Sequence, residues 1–125
     1  MKITLPIHAD VNNSAKLRYV SLTERMQLDS VTVISNGAVT AHAANGLELK
    51  VLGNDGATDA FKYSSLSGAN GTIADATTTD LVDQKSSKAV YGSGTAVKIS
   101  IDGSLGAGVT ADVVLCLHFS QARKV

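Results

Sequence analysis

Residues 97–119, VKISIDGSLGAGVTADVVLCLHF, decide the fold class of this 125-residue chain. From residue 97 to 102, aliphatic and polar side chains alternate, which indicates a strand with one solvated face. Residues 113–119 are apolar at nearly every position, which favours a strand buried on both faces. The glycine-rich connection at 103–108 lies between them, so the sequence predicts that the two strands pair as an antiparallel hairpin.

Outward from this stretch, tight-turn dipeptides separate further short apolar segments. The dipeptides tolerate positive φ and favour tight turns; they are Asn36-Gly37, Asn45-Gly46, Asp55-Gly56, Asn70-Gly71 and Asp102-Gly103. The stretches around them alternate or are rich in aliphatic residues, as strands require. The predicted strands are residues 3–7, 17–22, 28–35 and 47–52, with shorter ones at 61–63, 72–73, 81–82 and 89–91.

Two positions refine the strand predictions. Pro6 has no N–H to donate to a ladder, so the first strand is predicted to be an edge strand or the start of one. The alternation of residues 28–35 breaks near Asp29, which favours a β-bulge there. Helical potential is slight: only residues 21–27 favour a turn or two of helix.

Composition places these strands in one domain with an aliphatic core. The chain is 44% hydrophobic but only 4% aromatic, it lacks Trp, and no linker or internal repeat divides it. A core of Val, Ile, Leu and Ala is therefore expected. About eight short strands without intervening helices predict an all-β, antiparallel two-sheet sandwich, with a jelly roll favoured. The alternative is a small barrel.

Charge and cysteine content limit the expected partners and compartment. Eleven basic and eleven acidic residues cancel, so no basic patch favours a nucleic-acid or membrane-surface partner. The single cysteine, Cys116, excludes an internal disulfide and fits a reducing compartment. The first residues lack the apolar run of a signal peptide, so synthesis in a cytoplasm is expected.

The residues that most often carry chemistry do not form a recognisable catalytic or metal-binding pattern. Cys116 and His118 share a strand face, but a core thiol and a hydrogen-bonded or edge histidine explain them better than a metal pair. His8 and His42 are interpreted as surface or interface residues. The loop carboxylates lack EF-hand spacing and are interpreted as solvated; they are Asp55, Asp59, Asp75, Asp80 and Asp83. The sequence thus predicts no enzyme activity, no cofactor and no metal.

Several segments together resemble a family of virion proteins. The chain opens with Ile3-Thr4-Leu5-Pro6-Ile7, continues through strands at 16–22 and 28–34, and closes with residues 97–102 and 111–119 around a glycine-rich turn. In this layout it resembles the capsid decoration (cement) proteins of tailed bacteriophages. The resemblance covers most of the length, rests on no diagnostic motif and takes little from residues 53–94.

The resemblance implies a structural role. Decoration proteins commonly form trimers on the outside of an icosahedral head, where they bind the major capsid protein and stabilise contacts between its subunits against internal DNA pressure. The family has no catalytic residues to transfer. The chain is accordingly expected on the capsid exterior of a virion, as a homotrimer, without nucleic-acid or membrane partners.

An edge-like first strand, a polar stretch after it and a basic tail suggest which residues contact the coat. The hypothesis places residues 1–17 and 121–125 on the coat-facing surface; the alternative is that both are frayed termini. The candidate contact residues are Ile3, Leu5, Pro6, Ile7, Asp10, Asn12, Asn13, Arg123 and Lys124.

Other functions compete with this one. A head-fibre or tail-fibre domain that binds a host receptor is the alternative within the virion. A carbohydrate-binding module is the alternative from another class, although the lack of Trp and scarcity of Tyr argue against it.

Overall fold

The computed structural model describes residues 2–11, 16–36, 39–40, 47–64, 72–73, 78–84, 88–103 and 111–122, and within these ranges all regular structure is β-strand. The strands are β1 (Lys2–Val11), β2 (Lys16–Ser21), β3 (Met26–Asn36), β4 (Val39–Thr40), β5 (Leu47–Leu52), β6 (Asp59–Ser64), β7 (Thr72–Ile73), β8 (Thr78–Asp80), β9 (Val82–Asp83), β10 (Ala89–Tyr91), β11 (Ala96–Gly103) and β12 (Ala111–Gln121). All the strand pairings among them are antiparallel.

Ten of the strands form two sheets that pack face to face. Sheet A has the order β1-β12-β3-β10, with β8 also paired to β3, and sheet B has the order β2-β11-β5-β6-β9; β4 and β7 form a separate pair. The long strands leave one sheet for the other at β1–β2, β2–β3, β3–β5 and β11–β12. With the segment from β8 to β10, including β9, counted as one interrupted strand, the sheets hold eight strands in the order of a jelly roll. The predicted all-β, antiparallel sandwich is confirmed.

The predicted hairpin between residues 97–102 and 113–119 is wrong. β11 pairs with β2 and β5 in sheet B, whereas β12 pairs with β1 and β3 in sheet A. Each strand has one fully buried apolar row, represented by Ile99 in β11 and Leu115 in β12. Placing the two strands in opposite sheets turns both rows toward one core. The glycine-rich connection therefore joins the two sheets.

Burial along β12 also differs from the expectation. Val113, Leu115, Leu117 and Phe119 are buried, but the residues between them are only half-buried. The strand thus has one core face and one outer face, even though its outer face carries apolar side chains such as Val114. Because apolar residues occupy both faces of β12, its sequence does not show the alternation between buried and half-buried side chains.

The core between the sheets is mainly aliphatic, as the composition predicts. Residues from both sheets form one cluster: Leu22, Met26, Leu28, Val31, Val33, Leu49, Val51, Ala60, Phe61, Leu81, Ala89, Tyr91, Val97, Ile99, Ile101, Val113, Leu115, Leu117 and Phe119. Its largest fully buried side chain is Tyr91, which packs edge-on against Phe119 at 6.2 Å between ring centroids. The Tyr91 hydroxyl donates to the Leu52 carbonyl at 2.6 Å and links the two sheets.

The predicted bulge at Asp29 is confirmed. His118 of β12 lies opposite Ser30, but the next residue, Phe119, lies opposite Leu28, so Asp29 is the extra residue. Its carboxylate accepts hydrogen bonds from Gln27 Nε2 at 2.8 Å and Ser120 Oγ at 3.0 Å. These bonds fix the extra residue where the ladder is interrupted.

The turn dipeptides have different outcomes. Asp55-Gly56 lies in the turn between β5 and β6, and Gly56 has the predicted positive φ of 69°. Asp102-Gly103 instead ends β11, paired with Glu48 and Leu47 of β5, so the predicted turn there is wrong. Asn36 ends β3, while Asn45-Gly46 and Asn70-Gly71 lie outside the described residues.

The predicted turn or two of helix at residues 21–27 is wrong: residues 22–25 form a bend between β2 and β3. Two hydrogen bonds hold the bend against residues 94–95: Leu22 N donates to Thr95 O at 3.3 Å, and Gly94 N donates to Leu22 O at 2.8 Å. Met26 begins β3 and is buried. The chain uses this bend to pass from sheet B to sheet A.

One side of the sandwich is closed by the segment from β8 to β10. β8 and β10 both pair with β3, but between them β9 pairs with β6 of the other sheet. Leu81 is buried in this segment, and its N–H donates to Val31 O at 2.9 Å. Lys88 Nζ adds bonds to Asp29 O and Asp83 Oδ2. The segment therefore spans both sheets along this side.

Candidate interaction surface

The other side of the sandwich is bordered by two edge strands. Among the described strands, β1 pairs only with β12 and ends sheet A, and β2 pairs only with β11 and ends sheet B. Consecutive strands of a jelly roll lie at the same side of the two sheets, so the end strands face each other across the core opening. We call this region, formed by β1, β2 and the bend at 22–25, the open side.

β1 presents an apolar row to the open side. Ile3, Leu5 and Ile7 pack against the core but stay only partly buried, while the residues between them are exposed. The predicted edge position of this strand is confirmed. Pairing with β12 keeps one register through Pro6, which lies opposite Cys116. This continuity is the arrangement expected when the proline nitrogen faces outward from an edge strand.

A groove of about 290 Å³ lies between the start of β1 and the bend. Its lining combines apolar and polar side chains: Ile3, Leu5, Ser21, Leu22, Thr23, Glu24 and Met26. Ile3 and Leu5 come from the sequence-predicted contact set. The remaining residues come from the end of β2, the bend and the start of β3, which the sequence interpretation did not include.

β2 has exposed apolar side chains on its outer face. Leu17 is 48% exposed and Tyr19 is 61% exposed, and they lie opposite Ser100 and Lys98 of β11. Exposed large apolar residues on an edge strand mark a surface that another chain can cover. The strand was predicted, but its outward-facing apolar pair was missed. The sequence does contain a sign of it. Side chains alternate between the two faces of a strand, so a strand that turns Val20 and Leu22 inward turns Leu17 and Tyr19 outward.

Arg18 lies on the opposite face of β2. Arg18 lies opposite Ile99 of β11, and because the Ile99 side chain is fully buried, the Arg18 side chain also leaves the strand on its inner face. The Arg18 side chain is half-buried. Its Nη1 donates to the carbonyl of Leu17 at 3.1 Å. Among the described residues, Arg18 has no carboxylate within ion-pair distance.

The start of β1 and the end of β12 meet at one end of the sandwich. Lys2 lies opposite Ser120, and Ala122 N donates to Arg25 O in the bend at 3.3 Å. The two terminal regions proposed to act together are therefore adjacent. Pro6 is exposed on the outer face, and Asp10 pairs through its backbone with Asp112 toward the other end. Asn12, Asn13, Arg123 and Lys124 lie outside the described residues.

The Cys116–His118 pair lies on the outer face of sheet A. His118 Nδ1 is 3.0 Å from Thr4 Oγ1, and His118 Nε2 is 3.2 Å from Thr32 Oγ1. The predicted shared face and the hydrogen-bonded histidine are confirmed, although β12 is a central strand. Cys116 is half-buried on the outer face, not a core thiol. Cys116 is not a core thiol because only the opposite face of β12 is buried in the core.

The candidate carboxylates have local structural roles. Asp55 Oδ1 accepts from the backbone N–H groups of Ala57 and Thr58 in its turn. Asp59 and Asp83 lie near Lys50 and Lys88, at 3.8 and 3.2 Å. In the described ranges, no three His, Cys, Asp or Glu residues come together as metal ligands. His8 and Asp80 are exposed, whereas His42 and Asp75 lie outside the described residues.

The outer face of sheet B carries an ion-pair cluster away from the open side. Glu48 lies 3.1 Å from Lys50 Nζ and 3.5 Å from Lys62 Nζ. Burial raises the pKa of the Glu48 carboxyl, but hydrogen bonds and charge interactions with the two lysines outweigh it and leave the pKa below its usual value. The charged groups of this cluster pair with one another, so the cluster is a poor candidate for contacts with a partner.

No helix in the described part of the chain is long and apolar enough to cross a bilayer. Comparison of the chain with protein-family models, curated proteins and solved structures finds no match.

Proposed function

We propose that this protein is a capsid decoration protein, which binds the major capsid protein on the outside of an icosahedral phage head and stabilises contacts between coat subunits. The proposal includes a virion location and a homotrimeric state. It rests on the resemblance in strand layout together with the form of the open side. Edge strands that are left uncovered on one side of a sandwich present unpaired backbone groups, and a neighbouring chain can cover them.

The observation that carries the proposal is the asymmetry between the two sides of the sandwich. β8, β9 and β10 span both sheets on one side, while β1 and β2 leave a partly exposed apolar row and a groove on the other. Ile3, Leu5 and Ile7 gain further burial only if another surface covers them. This favours a protein whose working state is an assembly.

Assembly on a lattice also fits the modest size of each feature. A groove of about 290 Å³ and two exposed side chains on β2 support weak individual contacts. Repetition on a symmetric shell raises the overall avidity by orders of magnitude without new contacts. A structural protein of this kind needs no catalytic constellation.

Undecorated heads of the phage that encodes the chain provide the test. The purified protein is mixed with such heads and sedimented, and the bound fraction and the resistance of the heads to heat-induced DNA release are measured. We expect saturable co-sedimentation and DNA release at a higher temperature. Protein that stays in the supernatant at saturating concentration contradicts the proposal.

The mass in solution tests the trimer separately. Sedimentation equilibrium is expected to give the mass of three 12.9-kDa chains. A stable monomer that binds glycans instead favours the carbohydrate-binding module, and adhesion to host cells without head binding favours the fibre domain. Tyr19 is the strongly exposed aromatic among the described residues. A single ring is less than the aromatic platform expected of a sugar site.

A further inference from the structure

We infer that β2 is the receiving edge for an extended peptide segment that adds to sheet B and places a carboxylate against Arg18. The occupant is a partner strand with apolar side chains on its outer face and an acidic residue on its inner face. This goes beyond the proposed function, because it specifies the binding mode and the chemistry of the bound segment whether or not that segment belongs to a coat protein.

The backbone of β2 presents outward-facing hydrogen-bonding groups to such a strand, of which the Leu17 carbonyl accepts from Arg18 Nη1. Hydrogen bonds alternate along an antiparallel strand, and Leu22 N bonds to Thr95 O on the β11 side. By the same alternation, Arg18 and Val20 bond toward β11. The N–H and C=O groups of Leu17, Tyr19 and Ser21 then face the open side.

The other edges offer less. β1 is longer, but Pro6 removes the donor at its centre. β8, β9 and β10 are two or three residues long and lie on the closed side. β2 is six residues long, and it is thus the described edge strand with the longest row of outward backbone groups that no proline interrupts.

The side chains of β2 define the chemistry of the occupant. Leu17 and Tyr19 form an exposed apolar pair on the outer face, and cross-strand apolar neighbours would cover them. On the inner face, half-buried Arg18 has no carboxylate partner among the described residues, and its guanidinium bonds to the Leu17 carbonyl. When a strand adds, its N–H replaces the guanidinium at that carbonyl. The freed guanidinium then pairs with a carboxylate of the added strand, a stronger hydrogen bond than one to a neutral oxygen.

Peptide binding to the 125-residue chain tests the inference without any phage component. The probe is an acetylated, amidated peptide, Thr-Val-Asp-Val-Thr-Val, with matched peptides in which Asn or Lys replaces Asp. Binding at millimolar peptide is followed by the amide resonances of the ¹⁵N-labelled protein. We expect downfield shifts of the Leu17, Tyr19 and Ser21 amides and binding of the Asp peptide about tenfold tighter than that of the Lys peptide. The Arg18→Gln variant is expected to lose this preference.

Three results would overturn the inference. They are the absence of shifts at the three amides, shifts confined to β1 or the groove, and equal affinity for the three peptides. In the opposite interpretation, the charge of Arg18 prevents β2 from pairing with a second copy of the chain. Sedimentation velocity of the Arg18→Gln variant, which measures whether it dimerises, distinguishes the two interpretations. A variant that dimerises through β2, when the wild type does not, contradicts the role of Arg18 as a receptor for carboxylate.

Discussion

Tyr91 is the residue at which the two sheets are linked by a buried polar bond. Its hydroxyl donates to Leu52 O at 2.6 Å, and its ring packs edge-on against Phe119. Burial, with a smaller contribution from the charge of Asp55, raises the pKa of the hydroxyl, so it remains a protonated donor well above neutral pH. In a core built from aliphatic side chains, this bond also fixes how the sheets are positioned relative to each other.

Replacing Tyr91 by Phe keeps the ring and removes the donor. The Leu52 carbonyl then stays buried without its partner, which costs about 1–3 kcal/mol of unfolding free energy. Urea denaturation is expected to show a lower midpoint with an unchanged slope. Tyr63→Phe is the control, because the Tyr63 ring is only partly buried and packs at the margin of the core. A Tyr91→Phe midpoint equal to that of wild type would show that water or a shifted backbone satisfies the carbonyl.

Gly94 is the residue that fixes the turn between β10 and β11. Its φ is 79°, a conformation that side-chain-bearing residues rarely adopt, and its N–H donates to Leu22 O. Gly94→Ala is expected to lower the unfolding free energy by about 1–2 kcal/mol, because Cβ is strained in the left-handed region. Gly92→Ala is the matched control: its Cβ would meet Thr95 Oγ1 at 3.4 Å, an ordinary contact, and its φ is not positive. Equal thermal midpoints for the two variants would refute the strain argument.

At the scale of elements, the sequence predicts which residues form strands better than it predicts which strands pair. Pro6 and Asp29 carry local signals, a missing donor and a broken alternation, and both the edge strand and the bulge are found. β11 and β12 are adjacent in sequence, and a glycine-rich connection fits a hairpin and a crossing between sheets equally well. Pairing depends on which inner faces fill the core together, and neither strand contains that information alone.

The sequence predicts only part of the candidate surface, because the rest of that surface depends on which strands pair. β1 is recognisable as an edge strand from its proline, so Ile3 and Leu5 could be named from sequence. Leu22 and Met26 reach the same groove only because the bend returns the chain beside β1. β2 is an edge strand because, of the described strands, it pairs with β11 alone, and no local sequence pattern indicates this.

The ion pairs between β5 and β6 predict a pH dependence. The pKa of Glu48 lies below its usual value of 4.5, so its protonation is less favourable in the folded than in the unfolded state. Its contribution to stability is therefore present above pH 4.5 and is lost as the pH falls through the lowered folded pKa. Glu48→Gln is expected to lower the urea midpoint near neutral pH and to converge with wild type in acid.

Glu24→Gln is the control for this prediction, since Glu24 is exposed in the bend and forms no ion pair among the described residues. Its urea midpoint should follow that of wild type at every pH. If the difference between Glu48→Gln and wild type stays constant into acid, the ion pairs do not account for the effect.

At the scale of the whole molecule, the main asymmetry is between the closed side and the open side. The closed side has a segment that pairs alternately with sheet A and sheet B, and a lysine that bonds to both Asp29 and Asp83. Among the described residues, the open side has two edge strands, a groove and two exposed large apolar side chains, Leu17 and Tyr19, whereas the closed side exposes one such side chain, Val82. Charges balance over the chain as a whole, so long-range repulsion does not oppose the approach of a neighbour. These features favour the open side as the surface through which the protein works.

A pair of matched substitutions tests that central claim most directly. Thr23→Arg places a long charged side chain at the rim of the groove, and Thr78→Arg makes the same change at an exposed position of β8 on the closed side. Both variants should keep the wild-type circular dichroism and thermal midpoint, because both sites are exposed. Co-sedimentation with undecorated phage heads is expected to fall at least about tenfold for Thr23→Arg, a loss of about 1.4 kcal/mol of binding free energy, and to be unchanged for Thr78→Arg. Full binding by Thr23→Arg, or a loss of binding by Thr78→Arg as large as that by Thr23→Arg, would contradict the account.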